Sequence, residues 1–430
     1  MSKAEYIFTS ESVTPGHPDK LSDVIAENIV AEIIEQDPEA RTAIEGLLAK
    51  GYFNVSGEVT TEAWVNIEKI VRDTVLMVGY DNARIGLDGH TMGVLSSISE
   101  QSPEIANGVF NSLETRSHTA VDDFDKLGAG DQGIVFGCAV SDNKSAHPVP
   151  HKIAVMLSER LWEVRNSGTA AVTLYPDAKT QVSVLFLDDK PVSVETVLIS
   201  TSHSPEHTLE EIQEFVKTEI IIPTIAKYNS EEAHEESPLL DKKNYIINPT
   251  GTWNLCGPAA DVGLVGRKIV VDTTGGWGRH GGGNLNGKDR TKVDRIGVYG
   301  ARHAAKNIVT AGLAERVEIQ ISYAIGQARP VSVYVNDFGT SPLTGEALHK
   351  IVEENFDFRP AALIDKFNPS ADALRHTAMF GHLGRNPGGL FPWENLDKVE
   401  SLLDSLNKLP KEAWKETKKG LRETVKEIFS

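Results

Sequence analysis

The chain has 430 residues, and its 43 lysines and arginines against 61 aspartates and glutamates give a net charge of −18. A surface this acidic repels the phosphate backbone of nucleic acids, so we expect no nucleic-acid binding, and a site for any polyanion must be a local cluster of basic side chains. The hydrophobic content of 40% and the charged content of 24% are those of a folded chain and exclude global disorder.

The cysteine content and the N-terminus indicate a compartment. Only Cys138 and Cys256 occur, too few for a disulfide framework and typical of a reducing environment. The N-terminus has no apolar core of signal-peptide length, and no stretch approaches the roughly 20 apolar residues needed to span a bilayer. We therefore expect a cytoplasmic protein with no membrane partner.

The spacing of apolar residues predicts the order helix, strand, strand, helix three times along the chain. The first helix begins at Lys20 and stops at Asp37-Pro38, and the second passage ends with a helix that Pro223 terminates. The predicted elements are 20–36, 42–48, 53–59 and 67–78, then 153–164, 182–187, 194–199 and 209–222, then 294–312, 317–323, 331–335 and 348–352.

This repeated order predicts an α+β fold of three related units in a pseudo-threefold arrangement, with the sheets packed inward and the helices outside. We expect α+β domains at 4–114, 127–249 and 250–400, followed by a charged helical tail at 401–430. The segments 112–126 and 229–240 have no periodicity, so we expect exposed connections there.

Glycine and positive charge are most concentrated in one segment. Seven glycines lie between Gly275 and Gly287, and glycine lets backbone N–H groups approach an anion closely. The cations in and after this segment are Arg279, Lys288, Arg290, Lys292 and Arg295. The pattern favours a phosphate cradle, although GKD stands where a P-loop needs GKS or GKT. The alternative is a flexible glycine loop before a helix.

A second candidate is the turn GHPDK at 16–20, just before the first helix. It carries an imidazole, a carboxylate and an ammonium, a set that suits a metal-bound polyphosphate, with Asp19 on magnesium and His17 donating to a phosphate oxygen. The alternative is structural, with Asp19 as the N-cap of the helix and Pro18 shaping the turn.

Two further segments carry polar residues ahead of strands. In GAGDQG at 128–133, a glycine turn holds Asp131, whose carboxylate can bind an ammonium or a sugar hydroxyl. The alternative there is a plain turn leading into a strand. In PDAK at 176–179, Lys179 is one more candidate for a phosphate contact.

Together these segments resemble the S-adenosylmethionine synthetases (methionine adenosyltransferases). The family's motifs follow in order over roughly residues 5 to 400. They are FTSES at 8–12, GHPDK at 16–20, EQDP at 35–38, QSPEI at 101–105, GAGDQG at 128–133, PDAK at 176–179, INPTG at 247–251, GRK at 266–268, RHGGG at 279–283, GKDRTKVDR at 287–295, GHLGR at 381–385 and PWE at 392–394.

The resemblance implies a reaction in which methionine sulfur attacks C5′ of ATP and displaces tripolyphosphate, which is then hydrolysed to pyrophosphate and phosphate. Such a leaving group needs preorganised positive charge, which accounts for the cations. The resemblance also implies Mg²⁺, two per site, K⁺, and a homodimer with shared active sites that pairs into a dimer of dimers. The alternatives are a catalytically weak or regulatory nucleotide-binding homologue and an unrelated ATPase or kinase.

The resemblance assigns roles to individual residues. Catalytic roles fall to His17, Lys179, Arg267, Lys288 and Lys292. ATP contacts fall to His17, Asp131, Asp177, Lys179, Trp253, Asp261, Arg267, Lys268, Asn284 and Lys288. Methionine contacts fall to Glu58, Gln101, Asp261 and Lys292, magnesium to Asp19 and Asp294, and potassium to Glu45. Gln101 opens a gating loop that runs to about Asn111.

The chain departs from the family at several positions near these residues. Ile44-Glu45-Gly46 stands where CET is usual, Asn284-Leu285-Asn286 where AFS is usual, and Arg290 where proline is usual. Trp253 replaces a phenylalanine that stacks on adenine, and GHTM at 89–92 replaces ANSC. Nucleotide selectivity, potassium dependence and turnover are the properties that these changes affect.

Overall fold

The computed structural model describes residues 5–101 and 108–415. Its strands are β1 (Glu5–Val13), β2 (Arg41–Ala49), β3 (Tyr52–Thr60), β4 (Asp81–Asn82), β5 (Leu87–Asp88), β6 (Gly93–Ser99), β7 (Gly133–Val140), β8 (Leu174–Leu187), β9 (Lys190–His203), β10 (Leu240–Asp241), β11 (Tyr245–Ile247), β12 (Gly263–Leu264), β13 (Arg316–Tyr323) and β14 (Ser332–Asn336).

The α-helices follow the same chain order. They are α1 (Pro18–Gln36), α2 (Ile67–Val78), α3 (Leu113–Arg116), α4 (Val149–Asn166), α5 (Leu209–Phe215), α6 (Ile222–Lys227), α7 (Ile269–Asp272), α8 (Val293–Thr310), α9 (Gly345–Asn355), α10 (Pro360–Phe367), α11 (Ala371–Phe380) and α12 (Val399–Lys408). The predicted α+β class and the repeated order of helix, strand, strand and helix are confirmed.

Three main sheets carry the fold, and each contains a strand from a distant part of the chain. The first has the order β1-β8-β9-β10 with β11 also on β9, the second β12-β2-β3-β6, and the third β14-β13-β7. Thus β1 pairs antiparallel with β8, β12 with β2, and β7 with β13. Because these pairings cross the expected linear boundaries, the three units are interleaved, and the boundaries themselves stay a prediction.

The buried hydrophobic residues of the described chain form three clusters, one for each main sheet. In each cluster one long helix packs against the sheet: α4 on the first, α1 on the second and α8 on the third. Most residues of these three helices are buried, whereas shorter helices such as α2 and α9 bury a single face and lie outside, as predicted. The other face of each sheet keeps exposed residues in the single chain.

The start of α1 differs from the structural alternative given above. His17, and not Asp19, is the N-cap, since its backbone is extended and its Nδ1 accepts the N–H of Asp19. Pro18 occupies the first helical position, where its missing N–H costs no hydrogen bond. Asp19 lies in the first turn, where a carboxylate is favoured by the helix dipole.

The prediction that Pro223 ends a helix is wrong. Helix α5 continues without a break through a π-helical segment at Val216–Ile221 into α6, which contains Pro223, and then into a second π-helical segment at Tyr228–Glu232. A π-helical turn shifts the hydrogen-bond ladder by one residue, and such a shift accommodates a proline that has no N–H to donate.

The two connections expected to be exposed are partly buried. In 112–126, Ser112 and Asp125 have no exposed surface, and Asp125 forms ion pairs with Arg329 and Arg359. In 229–240, Asn229 closes the segment by exchanging two hydrogen bonds with the backbone of Leu239. Side-chain hydrogen bonds and ion pairs, which leave no hydrophobic period in the sequence, order both segments.

The C-terminal part beyond residue 400 is helical through α12, and Lys415 pairs with Asp337. Residues 416–430 of the predicted tail, and 102–107 of the predicted gating loop, lie outside the described residues. In the described part of the chain, every helix is too short or too polar to cross a membrane.

Candidate active site

The predicted site residues fall into two sets. The histidine group gathers around the start of α1 and comprises His17, Asp19, Asp177, Lys179, Asp261, Arg267 and Lys268. The glycine-loop group gathers where the glycine-rich segment meets β2 and comprises Glu45, Glu58, Asp131, Lys288, Lys292 and Asp294.

His17 is held as a neutral hydrogen-bond donor. Its Nδ1 accepts the backbone N–H of Asp19 at 3.2 Å, which leaves the ring proton on Nε2. Burial and then the charge of Lys268 lower the pKa of His17 to about 3. The neutral imidazole can therefore donate from Nε2 to an anionic oxygen without carrying a charge of its own.

The carboxylate of Asp19 is buried against two cations. Its Oδ2 accepts Lys268 Nζ at 2.5 Å, and its Oδ1 accepts the N–H of Leu264 at 3.0 Å, with Arg267 Nε 3.6 Å away. Burial opposes the charge of Asp19, but the hydrogen bonds from Lys268 and Leu264 outweigh it and lower the carboxyl pKa. This corner of the site therefore holds one carboxylate and two cations.

Strand β8 brings two further residues to this corner. A side chain at position 16 would collide with the carbonyl of Pro176, so Gly16 permits the close approach of the two segments. Asp177 is buried, accepts the N–H of Gly257 at 2.9 Å, and has its pKa raised to about 7 by burial. Lys179 is partly exposed, 2.8 Å from Glu11 on β1.

Trp253 and Asp261 flank the histidine group. The backbone of Trp253 is tied to the buried His203 in both directions, and its indole Nε1 donates to the carbonyl of Leu255 at 2.8 Å. Asp261 is exposed and close enough to Asp177 for its charge to raise the pKa of that carboxyl. The histidine group thus contains two carboxyl groups besides Asp19, and the Trp253 indole is fixed against its own segment.

The glycine-rich segment is fixed against β2. Gly287 has a φ of +76°, which strains any other residue, and its carbonyl accepts the N–H of Ile44 at 2.7 Å. Lys288 then forms a β-bridge with Ala43. At Gly287 and Lys288, the end of the glycine-rich segment, the backbone is therefore paired with the sheet.

The lysines of this loop are paired with carboxylates. Lys288 Nζ lies 2.6 Å from Asp294 Oδ2, and Lys292 Nζ lies 2.9 Å from Asp289 Oδ2. Asp294 is in the first turn of α8. The ion pairs hold both ammonium groups close to the loop, and the side chains of Lys288 and Lys292 remain 15% and 12% exposed.

Two glutamates share one sheet face with Lys288. Glu58 on β3 and Lys288 both pair with Ala43 on β2, from opposite sides, and Glu45 is two residues along β2. Residues paired directly across strands, and residues two apart on a strand, point to the same face. Within the described residues, Glu45 and Glu58 form no hydrogen bond or ion pair through their carboxylates, so both are open to a ligand.

The remaining predicted residues border this face. Gln101 follows β6, the strand paired with β3, and its buried Oε1 has no hydrogen-bond partner in the described chain. Asp131 lies just before β7, whose first residue, Gly133, is next to Asp294, and this position is also what the alternative of a strand-leading turn predicts. Asn284 caps its own loop through two hydrogen bonds with the backbone of Asn286.

Among the residues that the structure describes, no hydrogen bond or ion pair joins the histidine group to the glycine-loop group. Each group alone presents cations beside a carboxylate, a combination that suits a phosphate chain and its metal. Each group alone thus has the chemistry of part of an anion site.

The donor chemistry fits magnesium. Mg²⁺ binds in proteins through one or two carboxylates together with substrate phosphates and water. Asp19 and Asp294 each provide one carboxylate beside a lysine, and no cluster of three potential ligands occurs in the described residues. The two groups therefore fit a metal that arrives with a polyphosphate, and not a metal held by protein ligands alone.

Sequence reasoning missed a buried charge network beneath both groups. Lys20, expected to face the ligand with His17 and Asp19, is fully buried, with its Nζ bonded to Asp23 and Asp272. The available signal was the spacing of Lys20, Asp23 and Glu27, which places three charges on one face of the helix, next to its apolar residues.

Two departures from the family pattern have a place in this structure. Asn286 is buried and links Asp272 to His382, and Leu285 belongs to the third hydrophobic cluster. Arg290 pairs with Glu39 at the surface. These side chains stabilise the loop itself.

Similarity to known proteins extends over nearly the whole chain. Three family models match: the N-terminal domain of S-adenosylmethionine synthetase at residues 5–103, its central domain at 126–253 and its C-terminal domain at 255–395. The chain is 49% identical over 403 residues to the S-adenosylmethionine synthase of Kosmotoga olearia, covering 94% of this chain and 99% of that protein.

Two further relatives have the same name and similar coverage. The S-adenosylmethionine synthase of Pseudothermotoga lettingae is 48% identical over 403 residues, covering 93% of this chain and 99% of the relative. That of Petrotoga mobilis is 47% identical over 406 residues, covering 93% and 98%.

Proposed function

The chain belongs to the S-adenosylmethionine synthetase family, and from that premise we propose how its residues carry out the reaction. It is a methionine adenosyltransferase, which makes S-adenosylmethionine from ATP, L-methionine and water. The observation that carries the mechanism is the pairing of cations with carboxylates at two places in an acidic chain: Arg267 and Lys268 beside Asp19, and Lys288 beside Asp294.

In the transfer step the sulfur of methionine forms a bond to C5′ of ATP, and the bond between C5′ and the phosphate oxygen breaks. The electron pair of that bond leaves with tripolyphosphate, and the sulfur becomes a sulfonium. Water then cleaves tripolyphosphate to pyrophosphate and phosphate. Negative charge builds up on the departing oxygen, so cations aimed at that oxygen stabilise the transition state more than the ground state.

The histidine group receives the departing end of the phosphate chain. His17 donates from Nε2 to the oxygen that leaves C5′, while Lys179, Arg267 and Lys268 neutralise the phosphates. The support for this role is the neutral, oriented imidazole, whose Nδ1 is engaged by the N–H of Asp19. A neutral donor releases no proton to the solvent as the charge forms.

The glycine-loop group receives the far end of the chain and the methionine. Lys288 exchanges Asp294 for a phosphate oxygen, and Lys292 lies close by. Glu58 holds the methionine ammonium with Gln101 and Asp261. Trp253 stacks on the adenine, with Asp131, Asp177 and Asn284 around the nucleoside.

The family uses Mg²⁺ and K⁺. We assign magnesium to Asp19 and Asp294, two ions per site, and potassium to Glu45. Bound magnesium supplies positive charge to the phosphate oxygens and orients them. The support is the chemistry of the donors: Asp19 beside Lys268, Asp294 beside Lys288, and on β2 a glutamate whose carboxylate has no protein partner among the described residues.

Because the two groups are separate within one chain, each active site combines the histidine group of one protomer with the glycine-loop group of its partner in a homodimer. The outer faces of the three sheets support this assembly through apolar side chains such as Ile7, Leu95, Ile134 and Tyr334, which are 43–58% exposed in the single chain. Apolar patches of this kind mark protein interfaces. Two such dimers pair into a dimer of dimers.

Two free, buried cysteines suit the cytoplasm, where we place the protein. The alternative of a regulatory homologue without turnover gains no support from the relatives, which are all named synthases.

The test is to incubate the purified protein with ATP, methionine, Mg²⁺ and K⁺ and to detect S-adenosylmethionine by mass spectrometry. We expect the sulfonium product together with pyrophosphate and phosphate in equal amounts. Release of phosphate without a sulfonium product contradicts the transferase function. Omission of methionine is the control for unspecific ATP hydrolysis.

A further inference from the structure

One buried lysine, Lys20, is linked through two carboxylates to the chain segments that carry both groups. Lys20 Nζ lies 2.9 Å from Asp23 Oδ2 and also contacts Asp272 Oδ1, and all three side chains are fully buried. Among the described residues, Asp272 has no other ion pair. Lys20 therefore holds together two carboxylates that belong to different segments of the chain.

Each of those carboxylates positions one of the groups. Asp23 Oδ1 accepts the N–H of Gly266 at 2.9 Å, directly before Arg267 and Lys268 in the histidine group. Asp272 Oδ2 accepts the side-chain amide of Asn286 at 2.8 Å, two residues before Lys288 in the glycine-loop group. The path from one group to the other thus runs through hydrogen bonds and the two ion pairs of Lys20.

Buried side chains other than Lys20 and Asp272 also hold the segment before Lys288. Asn286 Oδ1 lies 2.9 Å from His382 Nε2, and His382 Nδ1 lies 2.7 Å from the hydroxyl of Tyr299. Glu27, two turns after Lys20 on α1, accepts the N–H of Gly287 at 2.7 Å. The two residues directly before Lys288, Asn286 and Gly287, are therefore both held by buried side chains.

The charges explain why Lys20 is central. Its removal leaves the carboxylates of Asp23 and Asp272 buried near each other, where like charges in a low dielectric repel strongly. The two carboxylates also lose the ammonium that joins the segments they hold, and this loss remains when the repulsion is relieved. We infer that Lys20 is a positioning residue that fixes Gly266–Lys268 and Asn286–Lys288 relative to each other, and so sets where the cations of both groups stand.

The inference rests on the proposed function, in which those cations bind the phosphate chain. A misplacement of about 1 Å in a catalytic group lowers turnover by up to about 100-fold. Lys20 touches neither substrate nor metal in this scheme, so its effect is exerted entirely through the two segments. The expected result of Lys20→Met is a fall of about 10- to 100-fold in kcat.

The matched control is Lys306→Met. Lys306 is also a buried helical lysine, with its Nζ 2.9 Å from Glu394, but it contacts neither segment. Lys306→Met loses a buried ion pair of the same kind and is expected to lower the Tm while kcat stays within about twofold of wild type. Comparison of the two variants distinguishes the effect of losing a buried ion pair from the effect of displacing the two segments.

The double variant Lys20→Met, Asp272→Asn tests whether the fall in kcat comes from lower stability or from the displacement of the two segments. Asparagine keeps the shape of Asp272 and removes the uncompensated charge, so the Tm recovers toward wild type. Because the tie through Lys20 is still missing, kcat stays low. A double variant that recovers Tm and kcat together shows that Lys20 is only structural and overturns the inference.

Hydrogen exchange gives a readout that does not depend on activity. In Lys20→Met we expect faster amide exchange at both Gly266–Lys268 and Asn286–Lys288, and in Lys306→Met at neither. Faster exchange at one segment alone, or turnover within twofold of wild type, contradicts the inference. If Lys20→Met does not fold, Asp272→Asn alone takes its place, with the same exchange pattern expected.

The two hypotheses fail in different ways. If the wild-type protein forms no S-adenosylmethionine, the proposed function is wrong, yet the exchange experiment still tests whether Lys20 couples the segments. If the wild type is active and the exchange of both segments is unchanged in the variant, the positioning role is wrong and the function stands.

Discussion

Lys288 Nζ lies 2.6 Å from Oδ2 of Asp294, so the lysine proposed to bind phosphate and the carboxylate proposed to bind magnesium form one ion pair. The two residues are six positions apart, on either side of the turn that leads into α8. The ion pair holds both side chains close to the loop. Substrate binding then exchanges this pair for a phosphate on the lysine and a metal on the carboxylate.

Lys288→Ala is expected to reduce formation of S-adenosylmethionine by about 1,000-fold or more, because it removes a cation that stabilises the negative charge developing on the leaving group. The fold stays intact, since the loop is held by Gly287 and Asn286 and not by the lysine side chain. Product is measured by mass and the fold by circular dichroism. Lys217→Ala, at an exposed lysine paired with Glu214, is the control. Near-normal turnover of Lys288→Ala contradicts the phosphate assignment.

Much of the secondary structure could be predicted because its signals are local. The apolar period of α1 and the alternation in β2 and β3 lie within single elements, and their bounds differ from the predicted ones by a few residues. The continuation of the helix past Pro223 was missed because a π-helical turn has no signature in the sequence.

The positions of the site residues were predictable only in part. Residue types and motif order indicated which side chains bind phosphate, but not which carboxylate each cation meets. Lys20 and Asp272 are 252 positions apart, and no local pattern pairs them. The exchange of strands between units is equally long-range, since β1 pairs with β8 of the next unit and both pack against α4.

The shared active site predicts complementation between two inactive variants. His17→Ala and Lys288→Ala each damage a different group, so a mixed dimer contains one intact site and one doubly damaged site. Random reassortment makes half of the dimers mixed, which restores about a quarter of wild-type activity. Activity is measured after co-refolding or subunit exchange. Each variant incubated alone is the control, and no recovery on mixing means that each site lies within one chain.

Trp253 tests the position of the adenine. Trp253→Ala is expected to raise the KM for ATP about tenfold, because stacking of a base on an aromatic side chain contributes about 1–3 kcal/mol. The ring does not touch the reacting atoms, so kcat changes little. Trp253→Phe retains a stacking surface and should stay within a few-fold of wild type. An equal loss of kcat in both variants argues against adenine stacking and for a structural role of the tryptophan.

Glu45 tests the potassium site. Glu45→Gln removes a carboxylate that has no protein partner among the described residues, and the K⁺ concentration needed for half-maximal activity should rise about tenfold or more. Stability should change little, because no ion pair is lost. Glu39→Gln is the matched control, since Glu39 is an exposed carboxylate that touches the same loop through Arg290. An unchanged response to K⁺ in Glu45→Gln contradicts the assignment.

Asp142 predicts a pH dependence of stability away from the active site. Its side chain is 7% exposed, 4.0 Å from Lys190, and burial raises the pKa of its carboxyl to about 6. In the unfolded chain the same group titrates near 3.8. Between these values the folded state holds a proton that the unfolded state has lost, so the free energy of unfolding falls as the pH rises from about 4 to about 6. Above about pH 6 the folded state carries the full free-energy cost of burying the charged carboxylate.

Asp142→Asn keeps the shape of the protonated carboxyl and removes this penalty, which is about 3 kcal/mol at about 1.4 kcal/mol per pKa unit. We therefore expect the variant to have a higher Tm than wild type at pH 8, by about 3 °C or more, and little difference near pH 4.5. Glu315→Gln is the control, because Glu315 also faces Lys190, at 3.0 Å, but its side chain is 63% exposed. A gain in Tm that is the same at both pH values shows that the ionisation of Asp142 is not its cause.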